Sequence, residues 1–321
     1  SGLLIVFGLI AHFGQGLPSR IDARALETMS YQHDFSPYFA DCHSTVSNFI
    51  EPEDSCVYNN EYQATVAVWG DSHATTISSQ IGTELAKYHQ GLREFTFEGC
   101  LPVVGYYKSG PPDRCAEHNR KALEYLTAHD EIQIVILHGR YTLQTQGLPF
   151  DNQQGGVEIH DEVYALPVGK GQSFIRDPKR IQAISRLYRE TVEKLLAAGK
   201  QVVVVYPVPE VGWNVPDRLA REIQYGTQRE EPLSTSYEVF QQRNRDAYQL
   251  LDSFPESEDL IRIYPEKLLC NTVLPNRCVA ERNGIPHYAD SDHIRGPIAV
   301  ELAQRLTGKL EQAGWLTQPT K

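Results

Sequence analysis

The sequence predicts an α/β fold built on a mostly parallel sheet with helices on both faces. Two observations carry this. Short apolar runs rich in β-branched residues recur along the chain, and amphipathic helical stretches lie between them. The runs are also apolar throughout rather than alternating, the pattern of strands buried on both faces. At 321 residues, 41% hydrophobic and 22% charged, the composition is globular.

The strand candidates are Thr65–Trp69 (TVAVW), a weaker one at Phe95–Phe97, Gln133–Leu137 (QIVIL), Gln201–Tyr206 (QVVVVY) and Leu260–Tyr264 (LIRIY). Between them, Ala74–Tyr88 repeats Ile77, Ile81 and Leu85 on one helical face. Ala116–Ala128 and Ser236–Leu251 are further helices. Asp177-Pro178 opens a helix striped by Ile181, Ile184, Leu187, Tyr188 and Leu195, and Gly199 closes it. Pro297 opens the last helix, with Ile298, Leu302, Leu306 and Leu310 in register and Gly314 at its end. Thr142–Arg176 and Pro207–Thr235 exceed ordinary connections and are expected to form lids or binding loops. Aromatic residues in or beside them (Tyr141, Phe150, Tyr164, Phe174, Trp213) are candidates for stacking on sugars, or for packing under the loops. Residues 12–62 lack a clear period and read as an extension packed on a domain spanning 63–317.

Thirty Lys and Arg against 41 Asp and Glu leave a net charge of −11. No basic cluster is present, which argues against a nucleic-acid partner. Six cysteines fall into three local pairs, Cys42/Cys56, Cys100/Cys115 and Cys270/Cys278, each enclosing a short turn-rich loop. Such loops suit disulfides and hence an oxidising compartment; the alternative is six reduced, buried thiols. The N-terminal run Leu3–Ala11 is strongly apolar but rises only about 14 Å as a helix, half a bilayer. Residues 1–11 are read as the end of a transmembrane helix, against a buried N-terminal strand or helix.

Two motifs carry chemistry. In Val68-Trp69-Gly70-Asp71-Ser72-His73-Ala74 a strand ends, turns tightly and starts a helix. That places Ser72 at the carboxyl edge of the sheet, where open α/β folds bind ligands, and at a helix N-terminus that favours negative charge. The plainer reading makes Asp71 or Ser72 an N-cap. The second motif is Tyr288-Ala289-Asp290-Ser291-Asp292-His293-Ile294. A serine hydroxyl needs a base, and the base an orienting group. Asp290, three residues before His293, can fold back onto the ring in one turn, whereas Asp292 adjoins it and should diverge. Asp290→Asn should therefore be severe and Asp292→Asn mild. A metal site drawn from Cys278, His287 and His293 fits no standard spacing, so no metal is expected. No P-loop, complete G-x-G-x-x-G or H-E-x-x-H occurs.

Together, the early GDS and late D-x-x-H resemble the SGNH hydrolase-like superfamily over about residues 63–315. The resemblance implies a three-layer α/β/α, flavodoxin-like fold with a five-stranded parallel sheet. By it, Ser72 is the nucleophile, His293 the base and Asp290 its partner, and Gly99 joins the Ser72 backbone in the oxyanion hole. The family's third oxyanion donor, an asparagine, is absent, since His138-Gly139-Arg140-Tyr141 stands in its place; Arg140 could supply that donor or be structural. GDSHA, the cysteine pair before the D-x-x-H block and the apolar N-terminus followed by Gly16-Leu17-Pro18-Ser19-Arg20 further resemble SGNH domains of bacterial membrane acyltransferases that carry an acyltransferase-3 domain. That resemblance implies O-acetylation of a surface polysaccharide such as lipopolysaccharide O-antigen. It also implies a periplasmic location at the inner membrane, the membrane domain of the same polypeptide as partner, no cofactor bound by this domain, and acetyl-CoA as ultimate donor. A secreted carbohydrate esterase with the same triad, and a non-catalytic glycan-binding domain, are the alternatives.

Overall fold

A computed structural model describes residues 2–13, 20–33, 36, 38–105, 113–158, 178–227 and 229–319. Its helices are α1 (Gly2–Phe13), α2 (Ala23–Ser30), α3 (Phe39–Cys42), α4 (Ser72–Leu85), α5 (Arg114–Ala128), α6 (Tyr141–Gln146), α7 (Pro178–Ala197), α8 (Val215–Tyr225), α9 (Tyr237–Asp252), α10 (Glu266–Leu269) and α11 (Gly296–Gln312). Its strands are β1 (His43–Ser44), β2 (Val57–Tyr58), β3 (Ala64–Gly70), β4 (Gly91–Phe97), β5 (Ile134–His138), β6 (Gln201–Val205), β7 (Ser234–Ser236), β8 (Leu260–Ile263), β9 (Arg277–Val279), β10 (Glu281–Arg282) and β11 (Ile285–Pro286).

The main sheet runs β1-β4-β3-β5-β6-β8, and the five longer strands β4, β3, β5, β6 and β8 are parallel throughout. They are the five strands expected. In chain order they stand second, first, third, fourth, fifth, the flavodoxin-like arrangement, whose order reverses beside β3. Two short strands from the preceding segment enlarge the sheet to seven: β1 lies parallel to β4, and β2 pairs with β4 antiparallel.

Alternate residues of the strands feed two cores. Val66, Val68, Ile134, Ile136, Val203 and Val205 face α4, α8 and α11. Ala67, Trp69, Val135, Leu137, Val202 and Val204 face α5, α7 and α9. Burial on both sides explains why these strands read as unbroken apolar runs. β4 read weakly because its sequence, GLREFTF, mixes charges into the run. Arg93 reaches the carbonyls of Pro52 and Ser55, while Glu94 turns inward to accept hydrogen bonds from Tyr58 and Thr96, and burial raises its pKa.

The six cysteines form the three expected disulfides, Cys42–Cys56, Cys100–Cys115 and Cys270–Cys278. The first joins the end of α3 to the residue before β2, both in the segment that precedes β3. α2 packs on α8, where Gln224 accepts the Asp22 N–H at 2.7 Å. α1 is helical, with Leu4 and Phe13 about four-fifths exposed. No described helix is long and apolar enough to cross a membrane. Residues 16–19, Asp177 and all of 159–176, Tyr164 and Phe174 included, lie outside the described residues.

Candidate active site

The GDSH turn is shaped by contact between β3 and β5. Gly70 pairs with His138, and a Cβ on Gly70 would sit 1.8 Å from the His138 carbonyl oxygen. Only glycine allows that approach. Asp71 then joins the two strand ends. Its Oδ1 caps α4 by accepting the His73 N–H at 2.9 Å, and its Oδ2 accepts the Arg140 N–H at 2.8 Å. Thus Asp71 is the N-cap, and Ser72 is the first residue of α4, half-buried at the point where the strand order reverses.

The second motif lies on the loop between β11 and α11. A bridge between Tyr288 and Ile294 closes it, and the Ala289 N–H donates to the His293 carbonyl. The segment after β6 supports it from outside: Val211 and Val215 donate their N–H groups to the carbonyls of Ser291 and Asp290, and Tyr288 donates its hydroxyl to Pro209. Held this way, His293 places Nε2 2.8 Å from Ser72 Oγ, across 221 positions of sequence. Its Nδ1 lies 2.7 Å from Asp290 Oδ2. Asp290 Oδ1 accepts the N–H groups of Asp292 and His293 at 2.9 and 2.8 Å, which fixes the carboxylate's orientation.

Asp292 turns inward rather than following Asp290. Its Oδ2 faces His73 Nε2 at 3.0 Å and Arg140 Nε at 3.2 Å, and Oδ1 accepts from Ser291 Oγ at 2.9 Å. Arg140 is committed to this cluster. Its guanidinium also meets Glu210 through Nε at 2.9 Å and Glu158 at 2.5 Å, and Glu210 in turn binds Arg243 of α9. Of the two readings left open for Arg140, an oxyanion donor or a structural residue, these contacts support the second, since Nε and one terminal nitrogen face buried carboxylates.

The electrostatics follow from these contacts. Burial disfavours charge on His293, but the charges of Asp292 and Asp290, with the Asp290 hydrogen bond, outweigh it and raise the imidazole pKa from 6.5 to about 9. Burial likewise works against the Asp292 carboxylate, yet the charges of Arg140 and His293 and the His73 hydrogen bond hold it well below the usual range. Glu210 is lowered despite burial by Arg243 and Arg140. His138, packed 6.0 Å from the His73 ring, is pushed by burial to about 3 and stays neutral.

Gly99 lies two residues beyond the end of β4, with φ at +56° and its carbonyl accepting from Gln144 Nε2. The metal set drawn from Cys278, His287 and His293 is not assembled, because Cys278 is bonded to Cys270. Among the described residues, donor atoms of His73, Asp292 and His293 do lie within 4.8 Å of one another. His293 is engaged on both nitrogens and His73 with Asp292, and the Arg140 cation borders the carboxylate. The set behaves as a hydrogen-bonded cluster.

Tyr141 and Phe150 are buried, Tyr141 sharing a hydrogen bond with Tyr188 and Phe150 lying under the Arg243 guanidinium, so they pack rather than stack on sugars. Trp213 packs against the core, with Arg218 over its ring. The sequence reading missed His73, Glu158, Glu210 and Arg243. The one signal for them was that a histidine adjoins the serine; the other three are ordinary charges in loops and helices until the fold brings them together.

The sheet order, the serine at its reversal point and the late D-x-x-H loop define an SGNH-type α/β/α domain. The chain belongs to the family of SGNH domains fused to AT3 domains, whose model matches residues 41–307. The periplasmic domain of a lipopolysaccharide acetyltransferase from Salmonella ser. Paratyphi A is similar over 90% of this chain and 97% of its own, at 14% identity and a TM-score of 0.57. A carbohydrate acetylesterase from Sinorhizobium meliloti aligns over 78% of this chain and 99% of its own, at 14% identity and a TM-score of 0.42. At 14% identity the likeness to the acetyltransferase domain concerns the fold alone. No curated protein sequence matches the chain.

Proposed function

We propose that this domain is an O-acyltransferase that carries an acyl group, an acetyl in the first instance, on Ser72 and delivers it to a hydroxyl of a cell-surface polysaccharide. The observation that carries the reading is the hydrogen-bonded chain Ser72 Oγ–His293 Nε2, His293 Nδ1–Asp290 Oδ2. In the tautomer that donates Nδ1–H to Asp290, Nε2 accepts the Ser72 proton as Oγ attacks the acyl carbonyl. The oxyanion forms at the start of α4, where the Ser72 N–H and, in this reading, that of Gly99 receive it. The donor's leaving group takes the proton from His293 and departs. A sugar hydroxyl then gives its proton to Nε2 and attacks the acyl-serine; Ser72 Oγ leaves and recovers the proton.

The acyl-serine step serves an esterase equally well, with water in place of the sugar. Membership of the AT3-fused family supports transfer, with the membrane domain as the supplier of acyl groups drawn ultimately from acetyl-CoA. The periplasmic acetyltransferase among the structural neighbours and the three disulfides support a periplasmic site of action. The exposed apolar helix α1 fits the end of a membrane span.

The test is to load the domain with an activated acetyl ester and present an O-antigen oligosaccharide. Acetyl on Ser72 by peptide mass spectrometry, followed by its appearance on the sugar, is the expected result. Acetyl released only to water favours the esterase, and no acyl-serine in any condition removes both readings.

A further inference from the structure

Asp292 is the carboxylate that the Ser72–His293–Asp290 chain leaves over. It is 2% exposed, while Asp290, Ser291 and His293 around it all reach solvent. A carboxylate is buried at this depth only when it is paired. Arg140 Nε at 3.2 Å and His73 Nε2 at 3.0 Å pair one oxygen, and Ser291 Oγ donates to the other. Those contacts would suffice for a residue that only secures the loop. Yet Oδ1 also lies 3.7 Å from His293 Nδ1, beside the contact made by Asp290, and the His73 ring lies 4.5 Å from the His293 ring.

We propose that Asp292 is a positioning residue for the acyl transfer described above: clamped by Arg140 and His73, its fixed negative charge stabilises the imidazolium that His293 becomes on taking the Ser72 proton. The inference rests on that functional reading. It divides the work between two carboxylates. Asp290, a third exposed, orients the ring and fixes its tautomer, but water screens its charge. Asp292, with a side chain 3% exposed, acts through little solvent at 3.7 Å.

The surroundings have the sign this requires. Facing the imidazole are Ser72 and His73 from α4 and Arg140 from the end of β5, which opposes a cation. Behind Arg140 stand Glu158 and Glu210, and behind Glu210 the Arg243 guanidinium of α9. Counting Asp290 and Asp292, four carboxylates oppose two guanidiniums, and the surplus favours a proton on His293.

The experiment is an NMR titration of the His293 ring in the whole domain, run beside the pH dependence of kcat/KM for an acetyl ester. In Asp292→Asn the ring midpoint is expected to fall by about one pH unit or more. The acid limb of kcat/KM should move with it, and the high-pH plateau should drop on the order of tenfold, because a weaker base accepts the serine proton less readily. An unchanged midpoint overturns the proposal. If Asp292→Asn does not fold, Asp290→Asn decides, since Asp290 lies at the surface. With Asp292 still in place, the His293 midpoint there stays above the ordinary value of about 6.5, and a fall to that value overturns the proposal. Labelling of Ser72 by an organophosphonate tests the acyl-serine reading separately, and its failure leaves the titration result standing.

Discussion

Asp290 grips His293 with both carboxylate oxygens, Oδ2 on the ring Nδ1 at 2.7 Å and Oδ1 on the backbone N–H at 2.8 Å. The spacing of three residues makes this possible, since one turn of backbone returns the carboxylate to the ring. Asp290→Asn presents an amide that can donate to Nδ1, which invites the wrong tautomer. Turnover is expected to fall by on the order of 10⁴ with the fold retained. Steady-state kinetics with circular dichroism check this; a loss under tenfold contradicts it.

Ser72→Ala removes one hydroxyl from a half-buried site, so thermal stability should change little while acyl transfer is lost. An organophosphonate should label Ser72 in the native domain and no other serine. Peptide mapping after labelling reads the outcome, and stoichiometric adduct on a different serine contradicts it.

Gly70→Ala tests the contact between β3 and β5. Its Cβ would meet the His138 carbonyl oxygen at 1.8 Å and the Ala74 Cβ at 2.8 Å, and neither can retreat without parting strand from strand or strand from helix. The expected cost is about 3 kcal/mol or more, together with loss of activity. Denaturant unfolding measures it; a stability within 1 kcal/mol of the parent, on the order of a surface substitution, contradicts it.

The raised pKa of His293 sets two pH dependences of opposite sense. Acyl transfer needs the neutral ring, so kcat/KM of the free enzyme should rise with pH toward about 9. For stability, the folded pKa lies above the unfolded value of about 6.5, so the folded state holds the proton more tightly. That contribution is complete below about 6.5 and is lost as pH rises through about 9. His293→Gln should therefore show a smaller fall in Tm between pH 6 and pH 10 than the parent, by calorimetry.

All six cysteines are paired, so alkylation of the denatured but unreduced chain should add no mass. Reduction should lower stability by roughly 2–4 kcal/mol for each bridge opened. Two or more alkylated thiols before reduction would contradict the pairing.

The parallel strands were legible because burial on both faces leaves a run such as QVVVV with no polar position to confuse it. β4 was only half legible, since Glu94 is charged in sequence but faces inward onto Tyr58 and Thr96, a role visible only once β2 lies alongside. β1 and β2 were not legible at all: two residues each carry no period. At the site, Ser72, Asp290 and His293 stood out because their roles require short fixed spacings. Arg140 was marked only by the missing asparagine, and Glu158 and Glu210 not at all, because their pairing joins residues 18 and 70 positions apart and nothing in either local stretch marks the partner.

The separation of Ser72 from His293 by 221 residues bears on when the domain gains its chemistry. The serine belongs to the first long strand-to-helix turn of the sheet, and its base arrives on the loop before the final helix. A chain emerging from its N-terminus can form β3, α4 and much of the sheet before residues 290–293 exist. Until α11 docks on α4 with Ile298, Leu302 and Leu306, Ser72 is an unassisted alcohol. Closing so distant a contact is entropically costly and slow. In the proposed reaction, a nascent or C-terminally clipped chain would lack the base for Ser72, and competence to accept an acyl group would coincide with completion of the fold.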